Sequence, residues 1–351
     1  MTPNLAAITG IGSVSPYGPL AGLIPPSAVE PEAITAWPTS GLRRAFLVKP
    51  FRPASVVPGL KTRRLDRLSA WALVASSLAI QDAGIDLSQE DRSRVAIVFG
   101  TGLGCAELTE AFFHSAAAHG WSGTDPSPFP EGLANAPASH VALWHEVRGP
   151  NITVGCKTFS GESALIQAAS LLRHGQADLA IVLAGDTLTR AVYEWYEAAG
   201  LLSPACYNSE PVTDGSGFVP SEGVAALVLE PNGRRKVRAY AHFSSGRWSV
   251  DGEAVETIRQ MLGGSVPSVT ICAGNGAPCA TGDTSALAGE ISGTSAGMVR
   301  VRAQAAAAGL TDTSALLHLI LALSSQPPSG QALLLGTSGE NGFAALLLDL
   351  P

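Results

Sequence analysis

The chain alternates short, wholly apolar runs with longer stretches of helical period. Residues 95–100 and 179–184 are wholly apolar runs of strand length, and 5–10 and 152–156 also read as strands, the first leading into a Gly/Ser/Pro turn at 10–16. Residues 65–83 set Leu65, Leu68, Ala72, Ala75, Leu78 and Ala79 on one helical stripe, and Gly84 supplies a stop. Further helices are expected from about Glu107 and over 162–173, whereas the proline-rich residues 19–60 read as loop with short elements. Strands without polar alternation are covered on both faces, which implies an α/β fold with a parallel-rich sheet. The chain also repeats itself. Segments 223–230 (GVAALVLE) and 342–349 (GFAALLLD) share their Gly, both Ala and two Leu in register. Each copy reads as an edge hairpin strand closing one half of a duplicated α/β unit. The expected halves are 1–232 and 233–351, joined in one compact unit with a seam near 231–235.

Composition narrows the class. Of 351 residues 46% are apolar and only 15% charged, against a usual quarter. The net charge of −7 argues against a nucleic-acid partner. Mean hydropathy is +0.22, yet the longest apolar runs, 179–185 and 316–323, fall far short of the roughly 18 residues that span a bilayer. No membrane partner is expected, and the opening MTPN carries no basic region that would begin a signal peptide. The five cysteines (Cys105, Cys156, Cys206, Cys272, Cys279) are odd in number, scattered and without a CxxC pair. That pattern fits a reduced cytoplasm, with no disulfide framework and no metal site; no cofactor is expected either.

Two local motifs carry little chemistry. The turn 100–104 (GTGLG) lacks the third glycine and the distal acidic residue of a dinucleotide fingerprint, and reads as a tight turn. Segment 293–297 (GTSAG) matches a hydrolase nucleophile elbow only in letters, because no clear strand precedes it. His318, set in the apolar run LLHLIL, reads as a core or interface histidine.

Several segments together resemble the β-ketoacyl synthase family. They are 8–16 (ITGIGSVSP), 66–69 (DRLS) with its helix to 82–84 (DAG), 99–102 (FGTG), 135–138 (NAPA), 148–151 (RGPN), 175–178 (GQAD) and 214–223 (DGSGFVPSEG). Each is weak alone, but they run in family order through nearly the whole chain. The resemblance implies the thiolase-like fold, a five-layer αβαβα arrangement of two pseudo-repeated halves, and a tightly paired dimer. It also accounts for the internal repeat.

The family's catalytic residues are where the chain departs from the pattern. The resemblance implies a nucleophilic cysteine in a strand-to-helix turn, where a helix N-terminus favours thiolate. Counting back from Ser160-Gly161, that position holds Thr158. A threonine hydroxyl stays protonated without a paired base, and an oxyester is a poorer acyl donor than a thioester. The first family histidine aligns with Asn275 and the second with Ala306, while Val301 stands where a lysine is implied. The usual phenylalanine gate is missing from the loop 336–342. Cys156, two residues before Thr158, is a candidate displaced thiol or a small core residue. Lys157 is a candidate base for a Lys–Thr pair, or an interface residue.

A retained fold with an erased catalytic set resembles the chain length factor, or β-subunit, of a type II polyketide ketosynthase. The resemblance implies a non-catalytic subunit that heterodimerises with a catalytic ketosynthase and shapes the acyl tunnel for a chain carried on an acyl carrier protein; the short length leans towards the polyene kind. It implies interface residues in the strand before the turn: Asn151, Ile152, Thr153, Val154 and Cys156. It implies tunnel residues on the helix after the glycine-rich turn: Ala106, Thr109, Phe112 and Phe113. The spacing of Ala106, Thr109 and Phe113 puts them on one helical face, with Glu107 and Glu110 falling partly away from it. The stripe also reads as ordinary core. Two rival functions stay open here: an acyltransferase or hydrolase using Cys156 or Thr158, and a homodimeric scaffold that binds an acyl carrier protein.

Overall fold

Strand β1 (Ala6–Ser15) runs straight through the glycines that the sequence pattern assigns to a turn. The reason lies in the helix behind it, α2 (Arg67–Asp82). A Cβ on Gly10 would lie 2.2 Å from Ala79 O, and one on Gly12 2.2 Å from Ala75 O. These glycines therefore serve the close approach of two backbones rather than a reversal. The helix itself begins where expected, with the Asp66 side chain accepting from Leu68 N–H at 2.8 Å as its N-cap.

This computed structural model describes residues 5–25, 29–37, 41–208, 217–249, 253–272, 315–325, 329–337 and 342–351. After β1 come β2 (Gly18–Ala21), β3 (Glu32–Ala33), β4 (Arg44–Ala45), the short α1 (Pro53–Val56) and α2. Then follow β5 (Val95–Gly100), α3 (Ala106–His119), α4 (Ala136–Trp144), β6 (Asn151–Val154), α5 (Ser160–Arg173), β7 (Leu179–Asp186) and α6 (Arg190–Ala198). The remaining described elements are β8 (Gly223–Pro231), β9 (Ala241–Ser249), α7 (Ala254–Leu262), β10 (Val269–Cys272), α8 (Ala315–Ser324), β11 (Gly330–Thr337) and β12 (Phe343–Leu350).

The large sheet runs β6-β5-β7-β8-β1-β9-β12-β11-β10, with β2 paired to β1. Strands β5, β6 and β7 are parallel, and β8 and β1 follow antiparallel. The second series repeats this: β10 and β11 are parallel, and β12 and β9 follow antiparallel. Strand β8 thus stands to β7 and β1 as β12 stands to β11 and β9, which is why their sequences match. The expectation that both copies are edge strands is corrected. Each lies inside the sheet, buried on both faces, as a run without polar alternation requires.

Alternate residues of each strand feed different layers. Val95, Ile97 and Phe99 of β5 pack with Leu179, Ile181 and Leu183 of β7 against α2 and α4. Ala96, Val98, Ala180, Val182 and Leu227 face the other way, onto α5 and α8. The same central helices receive Leu334, Leu346 and Leu348 from β11 and β12. The opposite faces of those two strands, with Leu333, Leu335 and Leu347, are covered by Ile258 and Leu262 of α7. Helix, sheet, helix, sheet, helix is the five-layer order. His318 is fully buried on α8, among the core residues of the middle layer. Among the described residues no helix is long and apolar enough to cross a membrane. No group of three His, Cys, Asp or Glu among them could hold a metal ion.

Candidate functional site

The chain leaves β6 through Gly155 and Cys156, makes a 3-10 turn at Lys157–Phe159 and enters α5. The turn is tied down by Ser160, whose Oγ accepts from Cys156 N–H at 2.9 Å and donates to Thr101 O at 3.2 Å. Thr158 sits in this turn, half-buried. Its Oγ1 is buried and makes no hydrogen bond. Phe159 is buried and its ring lies 6.5 Å from that of Trp248 on β9. Asn275, Val301, Ala306 and segment 293–297 lie outside the described residues, as do 338–341 of the gate loop.

One residue of this turn carries chemistry that the sequence does not signal. Glu162, in the first turn of α5, is completely buried, and neither carboxyl oxygen makes a hydrogen bond of normal geometry. It lies under the end of β11, where a Cβ on Gly336 would fall 2.1 Å from Glu162 Oε1. A side chain at position 336 would compete with the carboxyl for the same space. Burial pushes this carboxyl up to about 8, offset only weakly by the residue's own N–H. An acidic residue at a helix start reads as a favourable dipole partner. Nothing local says that the layers above and below will seal it from water.

The glycine-rich turn after β5 is built around Asp186 at the end of β7. Thr101 Oγ1 donates to Asp186 Oδ1 at 2.5 Å, and Gly102 and Leu103 N–H donate to the same carboxylate at 3.2 and 3.0 Å. The amides that would cradle a phosphate are already satisfied, so this segment is a turn held by a carboxylate. It sets the start of α3, which Asp66 fixes further by accepting from Leu108 N–H at 3.1 Å. Arg67 bonds Glu107 Oε2 at 3.1 Å and Glu222 Oε1 at 3.2 Å, anchoring the same corner.

Between α3 and the start of α6 lies an open, largely apolar groove of about 430 Å³. Ala106, Thr109 and Phe113 line it, as the helical spacing predicts, with Thr189, Ala191 and Val192 as the facing wall. Phe112 does not line it. One residue further round the helix than Phe113, it packs at 5.7 Å against Phe129 and 6.5 Å against Trp121. Glu110, expected to fall partly away from that stripe, also faces the groove, together with His114. The stripe 106, 110, 113, 114 is as regular a helical face as the stripe 106, 109, 113 expected from spacing.

Strand β6 ends the sheet. Its four residues are exposed or half-buried, unlike the sealed strands β5, β7 and β8. Asn151 Nδ2 donates to Ala138 O of α4 at 3.3 Å, so the strand edge and α4 adjoin. Leu143 (75% exposed) and Trp144 on α4, and Phe113 (56%), Trp121 (72%) and Phe129 on and after α3, leave much apolar surface open. Cys156 follows β6 and is half-buried.

Residues 25–234 match the family model described as "Beta-ketoacyl synthase, N-terminal domain". The chain is 26% identical over 255 residues to 3-oxoacyl-[acyl-carrier-protein] synthase 2 of Vibrio cholerae serotype O1, covering 68% of this chain and 60% of that protein. It is 30% identical over 268 residues to putative polyketide beta-ketoacyl synthase 1 of Streptomyces cyaneus, covering 71% and 63%. The chain thus spans about 60% of the length of these curated relatives. In structure it is similar to the ishigamide ketosynthase/chain length factor, with a TM-score of 0.84 at 18% identity and 99% of both chains covered. A type II polyketide acyl-carrier protein in complex with its ketosynthase bound to the hexaketide is also similar, with a TM-score of 0.76 at 17% identity and 99% of both chains covered. At these identities the two structures show the shared fold.

Proposed function

Because the chain belongs to the β-ketoacyl synthase family, we propose that it is a degenerate member acting as a non-catalytic chain length factor. In this reading it pairs with a catalytic ketosynthase, and its groove becomes part of the tunnel for a polyketide chain on an acyl carrier protein. The observation that carries it is Thr158. At the turn where the family resemblance places a nucleophile, the chain has a hydroxyl that makes no hydrogen bond to an activating base. The same observation weighs against an acyltransferase or hydrolase working through Thr158. The open groove and the exposed β6 edge both support a partner that covers them.

Co-expression with a catalytic ketosynthase should give a mixed dimer by native mass spectrometry. Two separate homodimers would favour the homodimeric carrier-protein scaffold and remove this reading. In the reconstituted pair, Ala106→Phe should fill the upper groove and shorten the product. Phe113→Ala should remove the bulk two turns further along α3 and lengthen it. Product lengths compared by mass spectrometry check both. An unchanged length distribution from folded, active complexes would return the α3 stripe to ordinary core.

A further inference from the structure

The groove along α3 is apolar except at one place. Glu110 and His114 lie one helical turn apart on its lining, with Glu110 Oε1 3.6 Å from His114 Nε2, longer than a normal hydrogen bond. Glu110 Oε2 is buried and accepts no hydrogen bond. Each neighbouring hydroxyl already makes one hydrogen bond. Thr109 Oγ1 donates to Gly132 O at 3.1 Å, and Thr189 Oγ1 accepts from Val192 N–H at 3.3 Å. Glu110 is thus a groove-lining acceptor with open capacity.

A hydrocarbon laid across the groove leaves Glu110 Oε2, already shut off from water, without a partner. Leaving a buried polar group unpaired costs free energy, and sites that expect a hydrogen bond discriminate against ligands that lack it. A hydroxyl at the same depth donates to Glu110 and removes the penalty. We infer that Glu110, with His114 beside it, determines acyl specificity, so that the groove favours chains bearing a hydroxyl at that depth over bare hydrocarbon chains of equal length. This rests on the groove being the acyl tunnel proposed above.

The test uses the chain paired with a catalytic ketosynthase and its carrier protein. Octanoyl carrier protein competes for elongation with a panel of hydroxyoctanoyl forms in which the hydroxyl is walked along the chain. One hydroxyl position should be elongated about 10-fold faster than octanoyl. Glu110→Leu and Glu110→Ala should each bring that ratio close to one, while Glu110→Gln, which keeps an acceptor, should retain part of the preference. A flat panel in the parent pair, or a preference that survives both apolar variants in assembled complexes, overturns the inference. Ala106→Phe run in the same assay separates the two levels. If it shortens products while the Glu110 variants change nothing, the tunnel stands and the specificity role falls. If it changes nothing, the tunnel reading falls and takes this role with it.

Discussion

Glu162→Gln should abolish a loss of stability that the parent protein undergoes between about pH 4.5 and pH 8. The folded-state carboxyl lies above its ordinary value because burial disfavours the ionised form. A folded value above the unfolded one means that the folded state holds the proton more tightly. The contribution is therefore fully present below about 4.5, declines as pH rises and is gone above about 8. Each pH unit in that window is worth about 1.4 kcal/mol, so the whole effect is of the order of several kcal/mol. Glutamine keeps the shape and polarity without the titration. At pH 5 the two proteins should unfold at nearly the same urea concentration. At pH 8.5 the variant should be the more stable, by roughly 2–4 kcal/mol. Midpoints measured across this range check it, and parallel curves for the two proteins would refute it. Because the carboxyl fills the space over Gly336, the alkaline form should loosen α5 from β11 first, read as faster amide exchange in those two elements.

The isolated chain should not condense acyl and malonyl groups. Thr158 stands where the family resemblance implies the nucleophile, and its hydroxyl makes no hydrogen bond. Losing one stabilising donor typically costs about 10²–10³ in rate. Asn275 and Ala306 stand where the resemblance implies two histidines, so the loss compounds. Carbon dioxide release and chain extension, followed by mass spectrometry, should fall about 10³-fold or more below a catalytic ketosynthase assayed alongside. Thr158→Ala should leave the output of a reconstituted pair unchanged. Robust turnover by the chain alone that disappears in Thr158→Ala would sink the non-catalytic reading. Turnover that disappears only in Cys156→Ala would move the chemistry to the half-buried thiol two residues earlier.

Local pattern carried the elements well where burial leaves no choice. The runs at 95–100 and 179–184 became β5 and β7, and the helices expected over 65–83, from about 107 and over 162–173 became α2, α3 and α5. The repeat 223–230 and 342–349 also announced equivalent positions in two matching strand series. Pattern failed where a residue type has two uses. Gly10 and Gly12 read as a turn and proved to be contact points for α2, because a missing side chain serves backbone reversal and backbone approach alike. Edge and interior strands differ only in who their neighbours are, and neighbours are chosen at long range.

The sequence by itself determined an α/β fold with a covered, parallel-rich sheet, the duplication, and the residue at the turn where the family resemblance places a nucleophile. Those follow from apolar periodicity, from self-similarity and from the letter at one position. Tertiary structure alone decided which face of α3 opens onto the groove, turning Glu110 inward and Phe112 aside. It alone decided that Glu162 would be sealed between α5 and β11 without a partner. The physical reason is the same for both. A helix offers several faces of equal period, and only its packing against distant strands and helices selects one, which sets whether a carboxylate meets water, a ligand or nothing.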